Sequence, residues 1–309
     1  MSLFSVGEEA VALPSGASAL SRRTDVRFRG RHLFSLSQGP FRAYLFPVYT
    51  PSGVPVTSES PVDHPHHNSL WIAADRVVAD LPFAGGEDEP GTYNFYVNDT
   101  FQGRAPGRIE AVGLEHEERG EGRLRLTQRL RWRGPREWGA PEGRVLAAEE
   151  RVLDVRPLDG ANVLDLRSRL SPTEWNLEIG PTRHAWFGVR LAEGLRPSHG
   201  GQVTDAEGRR GPGPVSGTVS DWVDCSGPAG GGRTAGVALM PHRDTAGHPW
   251  YVTDWGTMTV NPCAGAAVVA KHGSAFASGL RLVVHDGAAE AADLPGHHRR
   301  IKEEVEEDD

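Results

Sequence analysis

Between Arg123 and Trp132 the chain alternates strictly. Leu124, Leu126, Gln128, Leu130 and Trp132 fall on one side of an extended segment, with Arg123, Arg125, Arg129 and Arg131 on the other. Side chains of a strand point to opposite faces in turn, so this period of two fits a half-buried strand and no helix. Leu164, Leu166, Ser168 and Leu170 repeat the pattern, as do Phe187, Val189 and Leu191. Ala235–Met240, Thr257–Val260, Val268–Ala270 and Leu280–His285 are further strand candidates. The chain's 38 Gly and 23 Pro break it at short intervals, as turns between many short strands require. These features predict an all-β fold, a large twisted antiparallel β-sandwich with one face of each sheet in a core. Residues 1–300 are expected to form one such domain. The acidic stretch Ile301 to Asp309 has too few apolar positions to dock and is expected as a solvated or disordered tail.

A chain of 309 residues buries enough surface for a large core without metal or disulfide help. Its apolar runs fall far short of the roughly 20 residues of a membrane helix, which argues against an integral membrane protein. The formal charge of −8, with arginines scattered among acids, argues against nucleic acid as a partner. Cys225 and Cys263 match neither a zinc spacing nor a disulfide framework. The N-terminus shows no secretory pattern, so the cytoplasm is the expected compartment. Exposed sandwich edges leave a homodimer open, with no interface signal to support one.

The densest polar cluster is Asp63-His64-Pro65-His66-His67-Asn68-Ser69-Leu70-Trp71. Pro65 biases His64 towards an extended backbone, which would put His64 and His66 on one face and His67 on the other. Two imidazoles on one face suit a proton-transfer pair or a divalent metal, with His64 and His66 as the ligands and Asp63 orienting one ring. The alternative is a polar turn. A second cluster, Gly180 to Trp186, carries Arg183 and His184 ahead of a core strand; there the alternative is that both face solvent. Asp221-Trp222-Val223-Asp224 follows, and then His242, His248-Pro249-Trp250-Tyr251, Asp254-Trp255 and Asn261. His285-Asp286 reads as turn chemistry.

Trp71, Trp186, Trp222, Trp250 and Trp255 all lie in or beside these clusters. A flat amphipathic ring next to His, Asp and Asn is what a sugar site uses. The alternative is that the rings fill the core. No glycine-rich phosphate loop, GxSxG elbow or HExxH is present, which leaves acid–base or metal-assisted chemistry. The expected function is an enzyme acting on a sugar or glycoside by proton transfer, as an epimerase, lyase or hydrolase. His64, His66 and His67 would supply a general acid or metal seat, and His184, His242 or His248 the partner. Asp254, Asp221 or Glu178 would serve as carboxylate base. Trp71, Trp186, Trp222, Trp250, Arg183 and Asn261 would bind substrate. The rivals are a cupin-like metal-dependent oxygenase, which lacks a clear third carboxylate ligand, and a sugar-binding module without catalysis.

The clusters, in this order, resemble a soluble bacterial family labelled "methane oxygenase PmoA". The matching pieces include Phe46-Pro47-Val48, Pro51 to Val54, DHPHHNSLW at 63–71, Gly107-Arg108-Ile109 and Phe187 to Arg190. Gly200-Gly201, DWVDCSG at 221–227, His242, HPWYVTDWG at 248–256, Asn261-Pro262 and VVHDG at 283–287 continue the match. The resemblance implies a galactose-mutarotase-like supersandwich with a carbohydrate-sized cleft on one face. It departs around 180–186, where relatives often carry a carboxylate near His184 and this sequence has none.

Overall fold

The alternating segment 123–132 lies in a strand of eleven residues, Arg123–Arg133, with Leu124, Leu126, Leu130 and Trp132 buried. The other runs expected as strands are strands too. The structure is a computed structural model that describes residues 2–9, 22–82, 88–120 and 122–305. In chain order the strands are β1 (Phe4–Glu9), β2 (Arg22–Phe28), β3 (Arg31–Gln38), β4 (Ala43–Val48), β5 (Leu70–Ala74), β6 (Val77–Pro82) and β7 (Asp88–Tyr93). Then come β8 (Arg108–Arg119), β9 (Arg123–Arg133), β10 (Val145–Pro157), β11 (Ala161–Pro172), β12 (Leu177–Ile179), β13 (Ala185–Arg190) and β14 (Gln202–Asp205). The last six are β15 (Val223–Pro228), β16 (Thr234–Pro241), β17 (Trp250–Val252), β18 (Thr257–Val260), β19 (Val268–Ala270) and β20 (Phe276–Asp286).

One sheet orders its strands β1-β2-β3-β4-β5-β13-β18-β17 and a second β14-β15-β16-β20-β11-β10-β9-β8. A smaller sheet, β19-β12-β6-β7, completes the set, and neighbouring strands pair antiparallel. The core lies between the two large sheets. It joins Phe34, Leu45, Ile72, Phe187 and Val260 of the first to Leu126, Leu153, Leu166, Val237 and Leu282 of the second. The chain is an all-β antiparallel sandwich. Across β9, β10 and β11, Arg125 and Arg167 both pair with Asp154, at 2.6 and 2.5 Å, which suits a face open to water.

Alternation gives each sheet an outer face as well. On the second sheet that face carries Ala161, Ala238, Met240 and Val283, covered by Leu294 and Ile301 of a C-terminal helix, Leu294–Val305. The expected loose tail therefore begins later than Ile301: Leu294 and Ile301 stand seven residues apart on one helix face and dock together. Residues 306–309 lie outside the described residues. Among the described residues no helix is long and apolar enough to cross a membrane.

The outer face of the first sheet is different. Arg42, Tyr44 and Phe46 from β4 and its approach, and Trp71, Ala73 and Asp75 along β5, alternate with core residues and point away from the sandwich interior. Gly188 and Arg190 of β13 and Thr257 and Thr259 of β18 continue this face across the sheet by the same alternation.

Candidate functional site

The segment 61–67 is not extended, contrary to the expectation from Pro65. His64 N–H donates to Pro61 O at 3.0 Å and His67 N–H to His64 O at 2.9 Å, so two successive turns gather all three imidazoles. His64 stacks on His67 with centroids 4.6 Å apart and planes 11° from parallel, and His66 meets His67 edge-on at 4.6 Å. His67 in turn stacks on Trp71 at 5.0 Å, and Trp255 covers His64 at 5.8 Å and 7°. Trp255, His64, His67 and Trp71 thus form a near-parallel pile running from the surface into the sheet. Trp71 is buried, whereas Trp255 is 39% exposed.

Gly188 makes the inner end of this pile possible. It pairs with Trp71 across the sheet, and a Cβ there would lie 2.3 Å from the indole Cζ2. Gly188→Ala is expected to displace the Trp71 ring and cost about 1–3 kcal/mol, as overpacking does. Denaturant titration and the near-ultraviolet tryptophan signal would read both effects.

Two arginines lock the histidine turns. Arg42 donates to the carbonyls of His66 and Tyr96 and to the side-chain oxygens of Asn68 (3.1 Å) and Asn98 (2.8 Å). Arg190 donates to Asp63, which also accepts from His64 Nδ1 at 3.1 Å. Burial would raise the Asp63 carboxyl, but Arg190 and His64 hold it well below the usual carboxylate range. Asp63 therefore orients a ring, as its sequence position suggested.

His67 is a pin. Its Nε2 lies 2.8 Å from the Tyr96 hydroxyl, and its Nδ1 faces Arg190 Nη1 at 3.5 Å and Thr257 Oγ1 at 3.4 Å. An arginine N–H has only a proton to offer, so Nδ1 carries the lone pair and Nε2–H donates to Tyr96. The Tyr96 proton is then left to point elsewhere. Burial pushes the Tyr96 hydroxyl up, so it stays a donor. Burial, then His66, depresses His67 to about 2; burial and Arg42 bring His66 to about 4. Both shifts disfavour a second proton on either ring.

These shifts carry a sign. An unfolded histidine titrates near 6.5. His66, His67 and His297, the last also lowered to about 4 by burial and Arg300, bind protons more readily unfolded than folded. Their stabilising contribution is full above pH ~6.5 and is lost as pH falls towards 4. The denaturant midpoint should drop across that window, and His67→Gln should flatten the slope whatever it does to the midpoint at pH 7.

The second cluster joins the first. Asp75 N–H donates to His184 O, and His184 Nδ1 lies 3.0 Å from Asp75 Oδ2. The carboxylate missing from residues 180–186 is supplied across the sheet, by the residue that follows β5. A carboxylate accepts, so Nδ1–H donates and Nε2 holds the lone pair; that nitrogen accepts from Arg183 Nε at 3.1 Å. Burial would raise Asp75, but the hydrogen bond from His184 leads the groups that keep it lowered. The His184 ring stacks on Tyr96 at 5.4 Å and meets Phe101 edge-on at 5.7 Å. Asn94 Oδ1 accepts from the backbone N–H of Tyr96 and Val97, and this turn delivers Tyr96 to the cluster while Phe95 enters the core. Asn261 Nδ2 donates to Thr182 O at 2.6 Å and so props the His184 loop from below. It is buried scaffolding, not a substrate contact.

Other expected site residues lie elsewhere. Trp186 is fully buried, stacked on Trp132 and donating to Ser278 Oγ at 2.9 Å; Trp250 is buried with its indole N–H on Ser220 O. Both are core rings with no face to offer a substrate. Trp222 packs against the C-terminal helix seat on the second sheet. His242 is on that same far face, 3.0 Å from Asp165, which Arg281 clamps at 2.8 Å with both Nε and Nη2. Trp222 and His242 therefore lie on the opposite side of the sandwich from His184. His248 is half-buried in its loop, and Asp254 is exposed beside Trp255. Glu178 pairs with Arg76 at 2.7 Å and Asp221 faces His298 at 3.5 Å.

His64 and His66 stand edge-to-face at 5.9 Å, His64 Nδ1 is engaged by Asp63, and among the described residues no group of three His, Cys, Asp or Glu has metal-holding geometry. Two nitrogens fall short of the three or four ligands a protein metal site uses.

The model of a family of unknown function, DUF6807, matches residues 23–299, which takes in both histidine clusters. The chain belongs to the DUF6807 family. No curated protein matches it. Among solved structures, this DUF6807 chain is similar to the Slr1438 protein from Synechocystis sp. PCC 6803, at 13% identity and a TM-score of 0.31, covering 87% of this chain and 93% of that one. YeaD from Salmonella typhimurium, described as a "putative mutarotase", is 11% identical with a TM-score of 0.29, covering 89% and 96%. Likenesses this distant say nothing of chemistry. The likeness to the family labelled PmoA has no counterpart in these matches; membership of DUF6807 stands in its place.

Proposed function

We propose that this DUF6807 protein is an acid–base enzyme acting on a saccharide at the outer face of its first sheet. The observation that carries the proposal is the Asp75–His184–Tyr96 arrangement. An imidazole whose Nε2 lone pair accepts from Arg183 is oriented from behind by a buried carboxylate and stacked on a tyrosine whose proton is free to be donated. His184 Nε2 would take a proton from a sugar hydroxyl or an acidified C–H, and the Tyr96 O–H would hydrogen-bond the oxygen on which negative charge builds. Asp75 holds the imidazole in the tautomer that presents Nε2. Epimerisation and elimination both fit this pair.

Trp255 gives the saccharide reading its second support. Its exposed indole, backed by His64, is a platform for the C–H face of a pyranose, with Asp254 beside it. Thr259 Oγ1 and Arg190 Nε, both buried on this face, have no hydrogen-bond partner among the described residues. Polar groups left unpaired at such a depth suit a ligand rich in hydroxyls. A cytoplasmic location goes with this reading, since both cysteines are free, buried thiols.

The test is binding and turnover across a saccharide panel followed by proton NMR, in wild type and Trp255→Ala. Retained fold with about 2–10-fold weaker binding is expected, the worth of one stacked ring. Unchanged binding in Trp255→Ala would remove the platform. A panel with no saccharide bound or converted would overturn the proposal.

A further inference from the structure

The charges around this site do not balance. Arg42 is buried at 1% exposure, yet its four hydrogen bonds go to neutral oxygens and no carboxylate among the described residues pairs with it. Burial brings it down to about 10, still charged at neutral pH. Arg190 holds Asp63, and Arg104 stands 3.6 Å from Asp75, the carboxylate His184 already uses. Arg183 adds a fourth guanidinium. Glu59, which hydrogen-bonds Tyr44 nearby, is already paired with Arg23 at 2.9 Å. Arg42, Arg104, Arg183 and Arg190 therefore face Asp63, Asp75 and the exposed Asp254, four cations to three anions on a chain whose overall charge is −8. A buried cation without a counter-ion is costly, and the deficit falls where the substrate would sit.

Arg183 is the group placed to use that field. It is exposed, and its one hydrogen bond runs from Nε to His184 Nε2, so both terminal nitrogens meet no acceptor among the described residues. A guanidinium in that state offers a two-pronged fork to an anion. It also caps the lone pair that the proposed base needs. An anion drawing the guanidinium outwards would uncover His184 Nε2 in the same motion.

We infer that the substrate of this site is a saccharide bearing an anionic group, which Arg183 captures and the uncompensated charge of Arg42 favours. The inference rests on the saccharide reading and names its substrate class. Carboxylate and phosphate share the chemistry the fork recognises; the test separates them.

Isothermal titration calorimetry of the full chain with glucose, glucuronate and glucose 6-phosphate, and with galactose and galacturonate, reads the inference directly. An acidic sugar should bind at least about tenfold more tightly than its neutral counterpart, and added salt should narrow the gap. Arg183→Gln should remove most of that preference for the acidic sugar. The tighter of the glucuronate and phosphate arms identifies the anion. Equal binding of neutral and acidic sugars, or a preference that survives Arg183→Gln, would overturn the inference and leave the saccharide reading standing. Binding of no sugar in the set, with none from the wider panel either, would overturn both.

Discussion

His184→Ala is expected to lower turnover of the saccharide substrate by about 10²–10⁴-fold, the usual worth of one positioned acid–base group, with the fold unchanged. The ring is part-exposed at the rim of the cluster, where Tyr96 and Phe101 lie against it and Asp75 and Arg183 hydrogen-bond it, so its loss empties no core position. Asp75→Asn should be nearly as damaging for a different reason. The asparagine amide can donate to Nδ1, which stabilises the opposite tautomer and puts the ring proton on Nε2, where the lone pair is needed. A pH–rate profile distinguishes that positioning role from a structural one. Asp75→Asn should move a limb of that profile, whereas a merely loosened fold would lower the whole curve without shifting it. Turnover of either variant within threefold of wild type would remove His184 from the mechanism.

Asp224→Ala should destabilise the protein by about 3–5 kcal/mol, the cost of breaking a buried pair. Asp224 Oδ1 and His285 Nε2 lie 2.8 Å apart with both side chains fully buried on the outer face of the second sheet. Burial pushes the Asp224 carboxyl up; burial would lower His285, but the carboxylate beside it outweighs that and raises the imidazole. Both shifts favour keeping a proton within the pair. Gly236, opposite His285 in the ladder, makes the contact possible, because a Cβ there would lie 2.5 Å from the imidazole. Ser226, two residues on from Asp224, accepts from Ala289 N–H and ties the C-terminal segment over the pair. Removing the carboxylate leaves His285 sealed away from water with its main partner gone. Asp224→Asn keeps one hydrogen bond and should cost less. A denaturant midpoint for Asp224→Ala within about 1 kcal/mol of wild type would show that the pair is not a brace.

The strands were legible because their signal is local. Thr257–Val260 and Val268–Ala270 are strands with those same bounds, and the alternation of Leu124 to Trp132 sorts core from surface residue by residue. The site was legible only in part, because pairing across the sheet decides it. His64, His66, His184, Trp71 and Arg183 do converge, but their organisers Asp75, Tyr96 and Arg42 lie outside the motifs, and Arg190 closes the Phe187 to Arg190 piece with no mark of its role. Asp75 left a trace: it stands four residues after Trp71, on the same side of an extended chain. Tyr96 left none, since the Asn94 turn that delivers it is visible only in three dimensions. The tryptophans misled for the opposite reason. Trp186 and Trp250 adjoin polar residues in sequence while their own rings face the core, and Trp255 is the exposed ring among the five beside the polar clusters. His242 belonged to a cluster in sequence and to the far face in space.

The central claim is that the outer face of the first sheet, and no other surface, handles a saccharide. Imidazole NMR of the full chain tests it most directly, with resonances assigned by single His→Gln variants and followed through a titration with the sugars that bind. Movement of His64, His66 and His184, with His242 and His285 stationary on the opposite face, is the predicted result. Saccharide binding that moves His242 or His285 and leaves His184 where it was would contradict the account.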